Sequence, residues 1–171
     1  MNGFLLFYLG SHPDHRGRLL AEILAQDDYW LEVTHDYIQW LFPTREFSRV
    51  VPNAPTVNNE IEAAFHDDEL LRCHLRASLI RMLSFYGLAY TGNNITKGHN
   101  WAARKGNWFD QDTHNNLRIT RMIKSMACLG LQPEARALFQ CLRGLRNSKY
   151  CGIGSTAFDY WEKAAEEASN Q

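Results

Sequence analysis

A chain of 171 residues is long enough to bury one substantial core and is expected to fold as a single domain over residues 1–171. Its 45% hydrophobic and 22% charged residues are those of a soluble globular protein and exclude a disordered or fibrous chain. The net charge of −1 lacks the basic excess of a dedicated nucleic-acid binder, so no nucleic-acid partner is expected.

Taken in chain order, the pattern is helical almost throughout. The opening "MNGFLLFYLGSHPDH" holds a short apolar patch without a basic region or a small-residue cleavage pattern, so no signal peptide is expected. After the Pro13 loop, Arg16–Gln26 predicts a first helix. A cap at Asp27 or Asp28 predicts a second, running to about Phe42 and ended by Pro43. A loop with Pro52 and Pro55 follows, then a short helix over 57–66 capped by Thr56.

The stretch 68–88 predicts a long helix with Gly87 at its end, apolar over most of its circumference and therefore central and buried. Residues 89–98, "AYTGNNITKG", read as a loop, and 99–105 as a short helix. Thr113 opens an amphipathic helix closed by Gly130. Pro133 sits in the first turn of another, to about Asn147. Ser155 caps a last helix to about Ala168. The expected fold is all-α: one compact domain of seven or eight helices around the helix near 68–88.

Charge is unevenly distributed. Residues 1–69 carry 4 Lys and Arg against 12 Asp and Glu, a balance of −8. Residues 70–149 carry 13 against 3, a balance of +10. Neighbouring helices of opposite charge account for this, and so does a basic face awaiting an anionic partner.

No cysteine pair has metal or redox spacing, and the four thiols are expected to be free in a reducing, cytoplasmic compartment. No stretch reaches the roughly 20 apolar residues of a membrane span. His12, Asp14 and His15 in "SHPDHRGR" are ligand types, but Pro13 rules out a helical ligand face, and no metal or other cofactor is expected. Nucleophile elbows and phosphate-binding glycine motifs are missing, which leaves an enzyme unsupported.

Two polar strips stand out when residues are placed at about 100° steps. On the helix that starts at Asp28, a strip of Asp28, Glu32, His35 and Gln39 opposes the apolar side formed by Trp30, Val33, Tyr37, Trp40 and Leu41. On the helix from Thr113, His114, Arg118, Arg121 and Ser125 share a strip opposite the core stripe. Two arginines one turn apart can hold a carboxylate or phosphate, and His114 and Asn116 add hydrogen-bonding groups.

Four strings, "HDYIQWLFPTRE" (35–46), "FYGL" (85–88), "HNW" (99–101) and "HNNLRITRMIKSMACLGL" (114–131), resemble the conserved region of the opioid growth factor receptors, in order and in spacing. The resemblance covers about residues 25–165. It implies an all-α domain from a family named for proteins that bind enkephalin peptide and are associated with the nucleus. Without the family's long extensions and C-terminal repeats, the chain is expected to be a stand-alone domain. The family brings no catalytic residues with it.

Its motifs contain the polar residues His35, Gln39, Asn100, His114, Asn116, Arg118 and Arg121, together with Trp101. The expected function is a ligand- or peptide-binding module. In it the polar sides of helices 28–42 and 113–130 form a cleft for an anionic small molecule or peptide, with Trp101 as an apolar wall. An enzyme with His35 or His114 as general base, and a purely structural interaction domain, are the alternatives.

Overall fold

The first ordered element needs no long amphipathic run, only four large side chains. In the computed structural model, which describes residues 2–167, α1 spans Gly3–Tyr8 and buries Phe4, Leu5, Phe7 and Tyr8. Asn2 caps it by accepting from the Phe4 N–H at 2.9 Å. Helices α2 (Leu20–Leu24), α3 (Asp28–Val33), α4 (Ile38–Leu41), α5 (Asn59–Asp67) and α6 (Glu69–Tyr86) follow.

Strands β1 (Leu88–Thr91) and β2 (Asn94–Lys97), helix α7 (Trp101–Arg104) and a 3-10 turn at Lys105–Asn107 come next. Three longer helices complete the order: α8 (His114–Cys128), α9 (Gln132–Arg146) and α10 (Ser155–Glu167). The fold is mostly helical, as expected, with ten α-helices among the described residues rather than seven or eight. The expected end of the last helix at Ala168 lies outside the described residues.

The chain forms two compact units, Met1–Ser78 and Leu79–Gln171, and the division falls within α6. In that helix Leu71, Leu75, Leu79, Met82, Leu83 and Phe85 are buried, whereas Leu70 and Ile80 are exposed. Its apolar surface is therefore wide without closing the whole circumference.

In the first unit an aromatic cluster does most of the packing. Phe4, Phe7 and Tyr8 of α1 meet Trp40 of α4 and Phe65 of α5 at ring separations of 5.1–6.4 Å. The Tyr8 hydroxyl donates to the Leu41 carbonyl, and burial pushes its pKa well above the usual phenol value. Trp40 and its aromatic neighbours in "HDYIQWLFPTRE" are packing residues.

The helix expected over 28–42 is broken. Thr34 is extended, with ψ 130°, and α4 restarts only at Ile38. Within the break the Asp36 carboxylate is held by Arg16 and Arg18, about 20 residues upstream, each at 3.0 Å. The Tyr37 hydroxyl donates to the Leu31 carbonyl at 3.0 Å, linking the two sides of the break. Val33, expected in the core, is the last residue of α3 and is 51% exposed.

In the second unit α8 packs on α9 and α10, and α9 lies against β2. The expected loop 89–98 is instead a hairpin, with Tyr90 opposite Ile95 and Thr91 opposite Asn94. Gly92 takes φ +62°, the first central position of a tight two-residue turn that favours glycine. Gly87 (φ +79°) and Gly130 (φ +81°) end α6 and α8, as their positions predicted. Trp108 is fully buried, donates from Nε1 to the Tyr86 carbonyl at 2.9 Å, and packs on Trp101 and Phe109.

Candidate functional site

Of the eight candidate residues, His35 and Gln39 lie in the first unit and the other six in the second. His35 is exposed in the break before α4. Gln39 is buried within α4, and its Oε1 has no hydrogen-bond partner. Since the helix is interrupted between Val33 and Ile38, His35 and Gln39 do not extend a strip from Asp28 and Glu32.

The second-unit residues are placed by α8 and by the segment before it. Thr113 caps α8, accepting from the Asn115 N–H at 3.2 Å, and its own N–H donates to Asn116 Oδ1 at 2.9 Å. This reciprocal cap fixes Asn116. The Asn116 carbonyl accepts from Trp161 Nε1 at 3.1 Å, while the buried Asn116 Nδ2 has no partner.

Arg118 is only 5% exposed, and its Nη1 donates to Asn115 Oδ1 at 3.3 Å. Ser125, two turns on, is fully buried and its Oγ has no hydrogen-bond partner. Arg121 is half-buried and His114 exposed. Helical geometry puts these four on one strip, and the structure adds that its middle is sunk below the surface.

Asn100 and Trp101 form the start of α7. Asn100 Nδ2 donates to the Ser84 carbonyl at 2.9 Å, which ties that turn to the end of α6. Trp101 is half-buried, edge-on to Phe109 at 5.1 Å, with Lys97 Nζ 5.1 Å from its ring. Burial pushes the Cys141 thiol up to about 11, against the pull of Lys97, so it is not a thiolate nucleophile at neutral pH.

A second polar cluster, in the first unit, is built around the "SHPDHRGR" segment. Asp14 has no exposed side-chain surface; its Oδ1 accepts from the N–H groups of Arg16 and Arg18 at 2.8 and 3.0 Å. Arg18 lies between Asp14 (Nη2 to Oδ2, 2.6 Å) and Asp36 (Nη1 to Oδ1, 3.0 Å), with its guanidinium 5.5 Å from the Trp30 ring. His15 stacks nearly parallel on Trp40 at 5.9 Å, with Nε2 3.6 Å from Asp36 and Nδ1 buried without a partner. The charges of "DHRGR" were legible, but their common target, Asp36, was not.

Burial alone would raise the Asp36 pKa, but the hydrogen bond and charge of Arg18, with Arg16 and His15 behind them, outweigh it and hold the carboxyl below its ordinary value. A folded-state pKa below the unfolded one stabilises above the unfolded value, and the gain is lost as pH falls through the folded one. Asp36→Asn is therefore expected to lower the urea midpoint at neutral pH. The gap to the parent should close as pH falls through and below the ordinary carboxylate range. A gap independent of pH would show that the ion pairs contribute nothing.

The comparisons with known proteins place the chain in a family. The family model described as the opioid growth factor receptor conserved region matches residues 5–170. The chain is 35% identical over 153 residues to the opioid growth factor receptor of Mus musculus, covering 85% of this chain and 24% of that protein. The Homo sapiens opioid growth factor receptor is also 35% identical, over 154 residues, covering 85% of this chain and 22% of that protein. Opioid growth factor receptor-like protein 1 of Mus musculus is 38% identical over 135 residues, covering 75% of this chain and 28% of that protein. The chain thus spans about a quarter of the length of these relatives. No solved structure matches, and no helix among the described residues is long and apolar enough to cross a membrane.

Proposed function

Because this chain belongs to the opioid growth factor receptor conserved-region family, we propose that it is a ligand- or peptide-binding module that recognises an anionic group on the polar strip of α8. One observation carries the reading. Arg118 is a buried guanidinium held by the Asn115 amide, and the Ser125 hydroxyl on the same strip is buried without a hydrogen-bond partner.

A buried cation set by a neighbouring amide is preorganised for a carboxylate or phosphate, and a hydroxyl lacking a partner is a spare donor. Arg121 supplies the second cation of the strip and His114 stands at its exposed end. Asn100 positions Trp101, which supplies apolar surface. For His35 and Gln39 the proposal is that their substitution lowers affinity. A cytoplasmic location, with nuclear association as in the family resemblance, belongs to the same reading and fits four cysteines without a disulfide.

The test is calorimetric titration with enkephalin peptide carrying either a free or an amidated C-terminus. The free acid should bind and the amide should bind at least about tenfold more weakly, the worth of one charge-assisted hydrogen bond. Arg121→Gln, at a half-buried position less critical to folding than Arg118, should weaken the acid to the level of the amide. Equal affinities for acid and amide, or no heat with either, would sink the anion strip.

A further inference from the structure

The first unit contains a groove of about 320 Å³ whose walls are two turns tied by their own hydrogen bonds. One is the Asp14–Arg18 turn, closed by the Asp14 N–H on the Arg18 carbonyl at 2.9 Å and by Gly17 at φ +81°. The other is the Val51–Ala54 turn, closed by the Ala54 N–H on the Val51 carbonyl at 2.9 Å and braced by the Val51 N–H on Ser48 Oγ at 3.1 Å. The loop bearing that second turn is itself shut at its base, where Thr44 and Thr56 form a bridge and the Val57 N–H donates to the Thr44 carbonyl at 2.9 Å. Compact loops closed at the base hold a binding surface at little cost in ordering.

We propose that this groove is a binding site for a ligand that joins a carboxylate to a short apolar group. Arg16 lines it with a guanidinium that is 66% exposed and uses only Nε, on Asp36 Oδ2 at 3.0 Å, leaving its terminal nitrogens to meet an acceptor. Asp36 does not repel an anion there, since Arg16, Arg18 and His15 already surround its carboxylate. The Asn53 side chain adds an exposed amide at the rim. Facing these donors are Val50, 76% exposed, and Pro52, an apolar wall left in water that an aliphatic side chain would cover.

The volume fits one amino-acid-sized group, at the small end of ligand pockets of roughly 300–1,000 Å³. A single carboxylate matches the one open guanidinium edge better than a dianionic phosphate does, because Asp14 and Asp36 already balance the charges of Arg16 and Arg18. The site rests on residues 15–53 alone and is independent of the α8 reading.

The experiment is a resonance-by-resonance NMR titration of the full chain with four probes: N-acetyl-leucine, N-acetyl-leucinamide, N-acetyl-glutamyl-leucinamide and inorganic phosphate. Acetyl-leucine should shift His15, Asp36, Val50 and Asn53 with a Kd of about 1 mM, and acetyl-leucinamide should bind at least about tenfold more weakly. Binding of the glutamyl probe as well would mean that a side-chain carboxylate suffices. Its failure would restrict the ligand to a terminal carboxylate, and either result keeps the site. Arg16→Gln should weaken acetyl-leucine about tenfold, with a urea midpoint lowered by less than in Asp36→Asn because Arg18 still holds Asp36, and Val50→Asn about threefold with an unchanged midpoint.

Equal shifts with the amide would overturn carboxylate recognition. Phosphate matching acetyl-leucine would overturn the apolar half of the site. No shift at these residues by about 20 mM, well above the expected Kd, would overturn the site itself. Shifts confined to Arg118 and Arg121 would also count against it while leaving the α8 proposal standing.

Discussion

Trp161→Ala is expected to destabilise the protein by about 4 kcal/mol, within the range for truncating a buried tryptophan. Trp161 has no exposed surface, sits edge-on to Phe158 at 4.9 Å, and fastens α10 to α8 by donating from Nε1 to the Asn116 carbonyl. The loss comes mainly from the cavity, because the Asn116 carbonyl still accepts from the Thr120 hydroxyl at 3.1 Å and is not stranded. Trp161→Phe, which keeps most of the ring volume, should therefore cost less, about 1–2 kcal/mol. At roughly 2–4 °C per kcal/mol for a chain of this size, the alanine variant should melt about 8–16 °C lower by circular dichroism. A shift of only a few degrees would mean that α10 contributes little to the second unit.

Gly152→Ala should be nearly as damaging, for a different reason. A Cβ built there lies 1.7 Å from the Asp110 carbonyl oxygen and 2.3 Å from its carbon, so the backbone itself must move. The stretch around Gly152 is laid on 109–112 by the Gly152 N–H on the Phe109 carbonyl at 3.1 Å and the Gly154 N–H on the Asp112 carboxylate at 3.1 and 3.2 Å. Parting the two segments breaks those bonds, for an expected loss of about 3 kcal/mol or more.

Two other glycines calibrate the result. Gly154→Ala meets only the Asp112 side chain, at 2.7 Å, and should cost less because a carboxylate can swing away. Gly144→Ala, inside α9 with nothing within 4 Å, should stabilise by about 0.5–1 kcal/mol through helix propensity. Urea midpoints ranked Gly144→Ala, parent, Gly154→Ala, Gly152→Ala would bear this out. A Gly152→Ala midpoint equal to the parent's would show that the segments are not in close contact.

The same residues show how far local signals reach. Thr113, Gly130, Pro133 and Gly87 mark helix ends through their own backbone chemistry, and each stands where its type predicted. The short hairpin has little signature in the sequence because its strands are four residues each, with Gly92 before Asn93 as its turn signal. Helix α1 has as little, because six residues do not make a stable helix alone; its stability depends on Trp40 and Phe65.

By itself, then, the sequence determined the helical class, the ends of the long helices, the family, and the spacing that lines up His114, Arg118, Arg121 and Ser125. These follow from backbone preference and periodicity, which act over a few residues. Only the tertiary structure decided that Arg118 and Ser125 are buried, that the helix is interrupted at Thr34, that Arg16 and Arg18 hold Asp36, and that a groove opens beside them. A carboxylate has no preferred partner in sequence; which guanidinium it meets depends on where packing of the aromatic cores brings the two segments.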